Sequence, residues 1–285
     1  MADGNSIINL GDISKPATVL IEKISSAVGI VFEPHRVKRM ARAEAEADKI
    51  KALARIELTE IEHRAIERFV QQEARKQDNI EQITAQAASI LPLDADTTKL
   101  DEDWIAHFFK QCDTVSDKEM QSLWARLLSG EATTPGTFSR RTVEFVSTMD
   151  KAEAELFTNL CTFTWVFETP LIIITDAKHE IYNNKGISFA TLKHLDTIGL
   201  ISFDNTAGYI RRNSKPSYDV TYFNQKIQLE VGEHAEQLDI GKVLLTNLGR
   251  ELLPLSGSKA DPEYFMHIIK FWSDKEVIIS SHLDK

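Results

Sequence analysis

Cysteine is almost missing from this chain of 285 residues: Cys112 and Cys161 stand far apart. Neither has a second Cys or a His at metal-ligand spacing, so both read as reduced, buried thiols. The eight histidines are scattered, with no His-Glu-x-x-His pair, and no metal site is expected. No Gly-x-Ser-x-Gly elbow is present. The Gly241-Lys242 pair lacks the upstream Gly and the following Ser/Thr of a phosphate loop, which removes nucleotide hydrolysis. No apolar run approaches the ~18 residues of a membrane span. Met1 to Asp12 lacks the basic and apolar regions of a secretory signal. These absences point to a cytoplasmic, non-enzymatic protein without a cofactor. Proline and glycine are missing throughout Arg36 to Lys76, and that absence is the most informative.

In this run Met40, Ala43, Ala47, Ile50, Ala54, Leu58, Ile61, Ala65 and Phe69 recur every three or four residues. At ~100° per residue they form one apolar stripe. The spacing predicts an amphipathic helix of some forty residues, about 60 Å long, which needs a partner helix. Ile50, Ala54, Leu58, Ile61, Ala65 and Phe69 are the expected oligomerisation residues. The polar stretch from Arg75 to Asn79 is expected to loosen it before a second helical piece through Ile80, Ile83, Ala87 and Ile90.

Ahead of it, Pro16 opens a segment with Leu20, Ile24, Ala27, Val28, Val31 and Phe32 on one face. Glu33-Pro34 is expected to end or sharply kink that segment. The basic residues Arg36, Lys38, Arg39 and Arg42 follow at once. An apolar face beside a basic cluster is how a peripheral helix docks on anionic lipid. Leu20, Ile24, Val28 and Phe32 with those four cations are therefore the residues for membrane or anionic-partner contact. Packing inside an oligomer is the competing use of the same face. The net charge of −10 argues against a nucleic-acid-binding surface over the whole protein.

The remaining chain divides on paper into a flexible 1–15, oligomerisation helices over 16–92, a helical domain over 93–168 and a winged-helix-like α+β domain over 169–285. The acidic stretch Asp94 to Asp103 reads as the linker between the second and third. Ser116 to Glu119 reads as a capping box for a helix carrying Leu123, Trp124, Leu127 and Leu128, which stops at Gly130. Asp150 to Glu153 caps a helix expected to run through Leu160, Phe163 and Trp165. After Pro170 the pattern turns to strands: Leu171 to Thr175, Tyr218 to Tyr222, Ile227 to Val231 and Lys242 to Leu245. Ser188, Thr246 and Asp261-Pro262 read as helix starts, and Val277 to Ile279 as an edge strand. The fold class is mainly α with a C-terminal α+β part: a long N-terminal amphipathic helix, a central helical bundle and a winged-helix-like C-terminal region.

In the winged-helix-like region Lys193, Arg211, Arg212 and Lys215 are the candidates for nucleic-acid contact, the two arginines near the tip of a wing. The helix before Gly199 carries few base-reading groups, so a protein partner is at least as good a reading. Asp219 and Glu230 bracket a hairpin as paired metal-binding carboxylates can, but Gly232 stands where a nuclease needs Lys. They read as solvent-facing acids.

Lys15-Pro16, Leu20 to Ser25, Ala27 to Gly29, Glu33-Pro34, Arg36, Arg39 and the Ala-Glu-Ala-Glu-Ala run resemble an uncharacterised bacterial family, domain of unknown function 2806. Gln121 to Leu128, Gly130-Glu131, Pro135-Gly136 and Phe138 to Thr142 resemble its central signature. Leu192, Leu195, Gly199 to Ile201, Leu245-Thr246, Gly249 and Glu251-Leu252 are similar to the abortive-infection alpha proteins. The resemblances imply a bacterial origin and a part in defence against phage, and supply no catalytic residues. The expectation is a homo-oligomeric scaffold, sensor or adaptor acting on a protein partner. The alternatives are a membrane-surface effector, peripheral on the inner membrane, and a winged-helix DNA-binding regulator.

Overall fold

The computed structural model describes residues 14–29, 59–212, 217–230 and 237–281. It is mainly helical with a C-terminal α+β part, and divides into two compact units after Thr148.

The first unit contains α1 (Lys15–Val28), α2 (Glu60–Ile90), α3 (Glu102–Cys112), α4 (Lys118–Thr133) and α5 (Arg140–Thr148). Ser14 caps α1, with Pro16 in its first turn, and Gly29 ends it at φ 70°, before Glu33-Pro34 is reached. The long helix also differs from expectation. Thr59 is extended (φ −65°, ψ 156°) and forms a capping box with Glu62, so α2 starts at Glu60. The apolar period runs through this start, which hides it. From Glu60 the helix continues unbroken across Arg75 to Asn79.

The expected linker is pinned down. A 3₁₀ turn at Thr97–Lys99 packs on α1, Thr97 Oγ1 donates to Pro16 O (3.2 Å), and Lys23 Nζ donates to Leu100 O (2.8 Å). The core of the unit is aromatic. Phe108 stacks on Trp104 at 5.2 Å and meets Phe109 and Trp124 edge-on at 5.0 and 5.1 Å. Asp117, one residue later than expected from the sequence, caps α4 through Glu119 N and Met120 N. The helix passes through Gly130 to Thr133 rather than stopping there. Glycine serves packing instead: a Cβ at Gly130 would lie 2.7 Å from the Phe138 ring.

The second unit opens with α6 (Lys151–Cys161), carrying the expected Asp150/Glu153 box. The helix stops before Phe163, and Trp165 lies in a strand. In chain order follow β1 (Thr164–Val166), β2 (Pro170–Ile172), α7 (Glu180–Asn183), α8 (Phe189–Thr197), β3 (Ile201–Phe203), β4 (Tyr209–Arg212), β5 (Ser217–Tyr222), β6 (Gln225–Glu230), β7 (Gln237–Gly241) and β8 (Val243–Leu245). Then come α9 (Asn247–Leu252), a 3₁₀ turn (Leu253–Leu255), α10 (Pro262–Ser273) and β9 (Ile278–Ser281). An antiparallel sheet has the order β2-β1-β5-β6-β9, with β9 at an edge as expected. β5 and β6 form the expected hairpin, turned by Phe223-Asn224. The other described pairs are β3 with β8 and β4 with β7.

The sheet alternates cleanly: Tyr218, Val220 and Tyr222 are buried and Asp219 is exposed. α10 covers the buried face, with Trp165 stacked on Phe265 (5.5 Å) and edge-on to Trp272 (4.8 Å). Two buried phenols knit the layers. The Tyr264 hydroxyl accepts from Trp165 Nε1 and lies within 3.0 Å of the Phe163 and Ile173 carbonyls; Tyr222 donates to Thr162 O and accepts from Asp261 N. The expected starts at Ser188, Thr246 and Asp261 all hold as caps.

Candidate functional site

α2 has two unlike halves. From Asn79 onward it is anchored in its own unit: Asn79, Ile80, Ile83, Thr84 and Ala87 are buried against α4 and α1. Buried amides lock this half. Gln121 Nε2 donates to Asn79 Oδ1 (3.2 Å) and Val115 O (2.9 Å), and Asn79 Nδ2 donates to Asp113 O (2.8 Å). From Glu60 to Arg75, by contrast, every residue is exposed, a projection of about 24 Å. Its backbone is held by the Thr59 box, by Glu60–Arg64 (3.6 Å) and, at its base, by Glu73–Lys76 (2.9 Å). Isolated helices of this length are marginal in water.

The projection bears Ile61 (71% exposed), Ile66 (39%), Phe69 (63%) and Val70 (50%), with Ala65 between them. Ile61, Ala65 and Phe69 stand four residues apart in one column, and Ile66 and Val70 in a second. At ~100° per residue the two columns cover about half the circumference. The charges are mixed along the axis: Glu60 and Glu62 lie at one end, and Glu73, Arg75 and Lys76 at the other.

Of the expected oligomerisation residues, Ile61, Ala65 and Phe69 stand together on this exposed half, while Ile50, Ala54 and Leu58 lie outside the described residues. The second column, Ile66 and Val70, escaped the sequence reading. Its signal was the pair of doublets Ala65-Ile66 and Phe69-Val70, which broaden a stripe into a face.

The residues expected to meet membrane or an anionic partner divide differently. Leu20 and Ile24 have no exposure, because α1 packs that face on α3. This corrects the expectation that they reach lipid. Val28 is half-buried. Phe32, Arg36, Lys38, Arg39 and Arg42 lie outside the described residues. No described helix is long and apolar enough to cross a membrane.

Among the described residues, the nucleic-acid candidates do not form a basic patch. Lys193 is held by Asp196 at 2.6 Å. Arg211 bonds Glu168 at 2.8 Å, with its guanidinium over the Phe167 and Tyr218 rings. That makes it a packing residue of β4, not a wing tip. Arg212 is exposed at the end of the same strand, and Lys215 lies outside the described residues.

Groups suited to chemistry are muted. Burial pushes the Cys161 thiol up to about 12 and the Cys112 thiol well above its ordinary value, so both are neutral and poorly nucleophilic. Among the described residues no three His, Cys, Asp or Glu side chains gather as metal ligands would. His179 and His267 rings approach to 4.4 Å. Burial first, then the charges of His179 and Lys270, lowers the pKa of His267.

The signature segment of α4 and the following turn is structural in every part that can be traced. Trp124 is core, Gly130 admits Phe138, and the buried Glu131 carboxylate accepts from Gly136 N (2.6 Å) and Phe138 N (2.8 Å). Residues 63–269 match the sequence profile of a family described as "Protein of unknown function (DUF2806)". Neither a curated protein nor a solved structure matches the chain.

Proposed function

The chain belongs to the DUF2806 family, and we propose that it is a non-catalytic assembly protein that acts through protein–protein contacts, built on self-association of the projecting half of α2. One observation carries the reading: sixteen consecutive exposed helical residues that present Ile61, Ile66, Phe69 and Val70 to solvent. Soluble monomers rarely leave such a face open.

A second copy suits it best because the segment is self-complementary. In an antiparallel pair related by a two-fold axis near Arg68, Ile66 meets Phe69 and Val70 of the other copy. The apolar side chains, rather than charge pairing, carry this contact. Burying the exposed fractions of these four side chains gives about 3–7 kcal/mol per copy. That is enough to offset the lower range of association costs, about 4–15 kcal/mol. The sequence continues the same apolar spacing through Ile50, Ala54 and Leu58, which would extend a contact that is small beside the ~800 Å² per partner of a standard interface.

The setting we propose is bacterial phage defence, as scaffold, sensor or adaptor. Its support is the resemblance to abortive-infection alpha proteins read from the sequence at Leu192, Leu195, Gly199 to Ile201, Leu245-Thr246, Gly249 and Glu251-Leu252. Those residues hold the fold: Leu192 and Leu195 are buried, Thr246 caps α9, and a Cβ at Gly249 would sit 2.2 Å from Leu200 O. The engagement of Arg211 weighs against a DNA-binding regulator, and the burial of Leu20 and Ile24 weighs against a membrane effector. The test is solution mass by light scattering on the full chain and on Ile66→Glu/Phe69→Glu. The assembly reading expects an oligomer that the double substitution reduces to 32.2 kDa. An unchanged mass removes the reading.

A further inference from the structure

In the second unit, residues 176–186 are held against α10 largely through rings. His179, the residue before α7, and His267 of α10 lie 4.4 Å apart, centre to centre, with their planes tilted by 45°. Tyr182 is fully buried beside them, edge-on to His267 at 5.8 Å and to Phe163 at 5.1 Å. Lys185 pairs with Asp261 at 3.2 Å near the far end of the stretch. The arrangement lies wholly within this unit and does not rest on self-association.

The contacts of both rings suit only the neutral imidazole. His179 caps α7: its Nδ1 accepts from Ile181 N at 3.2 Å, so its own hydrogen sits on Nε2. A second proton, on Nδ1, would turn that acceptor into a donor and break the cap. His267 Nε2 is buried and bonds nothing. In the charged ring this nitrogen must carry a hydrogen, which would be a buried donor without an acceptor. Two imidazolium rings at this spacing would also repel each other. The charged groups around the pair offer no relief. On α10 they are Glu263 and Lys270, about one turn to either side of His267; on the stretch they are Asp176, Lys178 and Glu180. Asp176 Oδ1 is engaged, accepting from Lys178 N at 2.9 Å. Among the described residues, histidine pairs with a carboxylate at His107–Glu144 and His194–Glu153, not here.

We propose that the His179–His267 pair is an acid-sensitive latch: proton uptake parts the two rings and frees residues 176–186 from α10, uncovering Tyr182. The closed pair binds fewer protons than the opened rings, which titrate near the ordinary 6.5. The latch is therefore shut above about pH 6.5 and loosens as pH falls. Burial and the charges of His179 and Lys270 act on His267 in the same direction.

Hydrogen exchange on the full chain reads the opening at amides closed inside the stretch or just after it. Asn184 N donates to Glu180 O at 2.8 Å, and Ile187 N donates to Tyr182 O at 3.0 Å. Val220 and Leu229, paired strands of the same unit, are the reference amides. After correction for intrinsic exchange, protection at 184 and 187 is expected to fall between about pH 7.5 and 5.5, each histidine contributing up to about tenfold. The reference amides keep their protection. His267→Gln leaves the share of His179 alone. His179→Asn supplies a capping oxygen to Ile181 N and takes no proton, so it leaves the share of His267 alone. The double variant should respond to acid no more than the reference amides do. The proposal is overturned if protection at 184 and 187 does not change with pH, if the reference amides lose protection in parallel, or if the double variant responds as the native chain does.

Discussion

Glu131→Gln tests whether the family signature exists to hold the fold. Glu131 is 3% exposed on α4 and reaches across to the turn before α5. One oxygen accepts from Gly136 N at 2.6 Å, the other from Phe138 N at 2.8 Å. The turn it clasps seats the Phe138 ring against Gly130 and presents the Phe138 carbonyl to the Trp104 indole at 2.9 Å. Glutamine keeps the volume and one acceptor, but turns an NH2 donor toward a backbone N–H. The loss is one charge-assisted bond plus one buried donor without a partner, together about 3–4 kcal/mol. That is well above the ~1 kcal/mol centre for single substitutions. Native-state hydrogen exchange reads it without assuming that the two units unfold together: amides of α3 and α4 should exchange faster by about two to three powers of ten. A change under about 0.5 kcal/mol would refute the clasp, since a surface residue could do as much.

Other expectations follow from the same geometry. Phe69→Ala removes about 1–2 kcal/mol of burial per copy, used twice in a two-fold pair, so sedimentation should show the dimer weakened about 30- to 1000-fold; unchanged affinity places the contact elsewhere. His267 is held below its ordinary 6.5 by burial, then by His179 and Lys270. The unfolded chain therefore takes up this proton first, and the stability present above about 6.5 is lost as pH falls. Urea midpoints of His267→Gln should change less than the native chain's between about pH 7 and 5; an identical slope contradicts this. A thiol reagent at about pH 8 should leave Cys112 and Cys161 unmodified in the folded chain and titrate both after unfolding; rapid native labelling contradicts their burial.

Local chemistry was legible where one residue type settles one local question. Asp150, Ser188, Thr246 and Asp261 each satisfy free N–H groups at a helix start, and alternation alone gives the β5–β6 hairpin. Competition between signals hid the rest. Thr59 starts α2 inside an apolar period that runs past it, and the polar Arg75 to Asn79 stays helical because Asn79 finds buried partners. Gly130 looked like a stop and is a packing hole for Phe138, a residue eight positions on. The acidic stretch 94–103 looked like a linker, yet it is tied to α1 by contacts across about eighty residues, which no local window contains. The exposed half of α2 was legible as a stripe, but its full width and its exposure required the fold.

The central claim is that the projection from Glu60 to Arg75 is covered by a second copy, and concentration-dependent hydrogen exchange of its amides tests it most directly. The account predicts that these amides are protected when the protein is concentrated and exchange rapidly on dilution, while Ile80 to Ala87 keep their protection throughout. Protection of 60–75 that does not change with concentration, or none at any concentration, would contradict it.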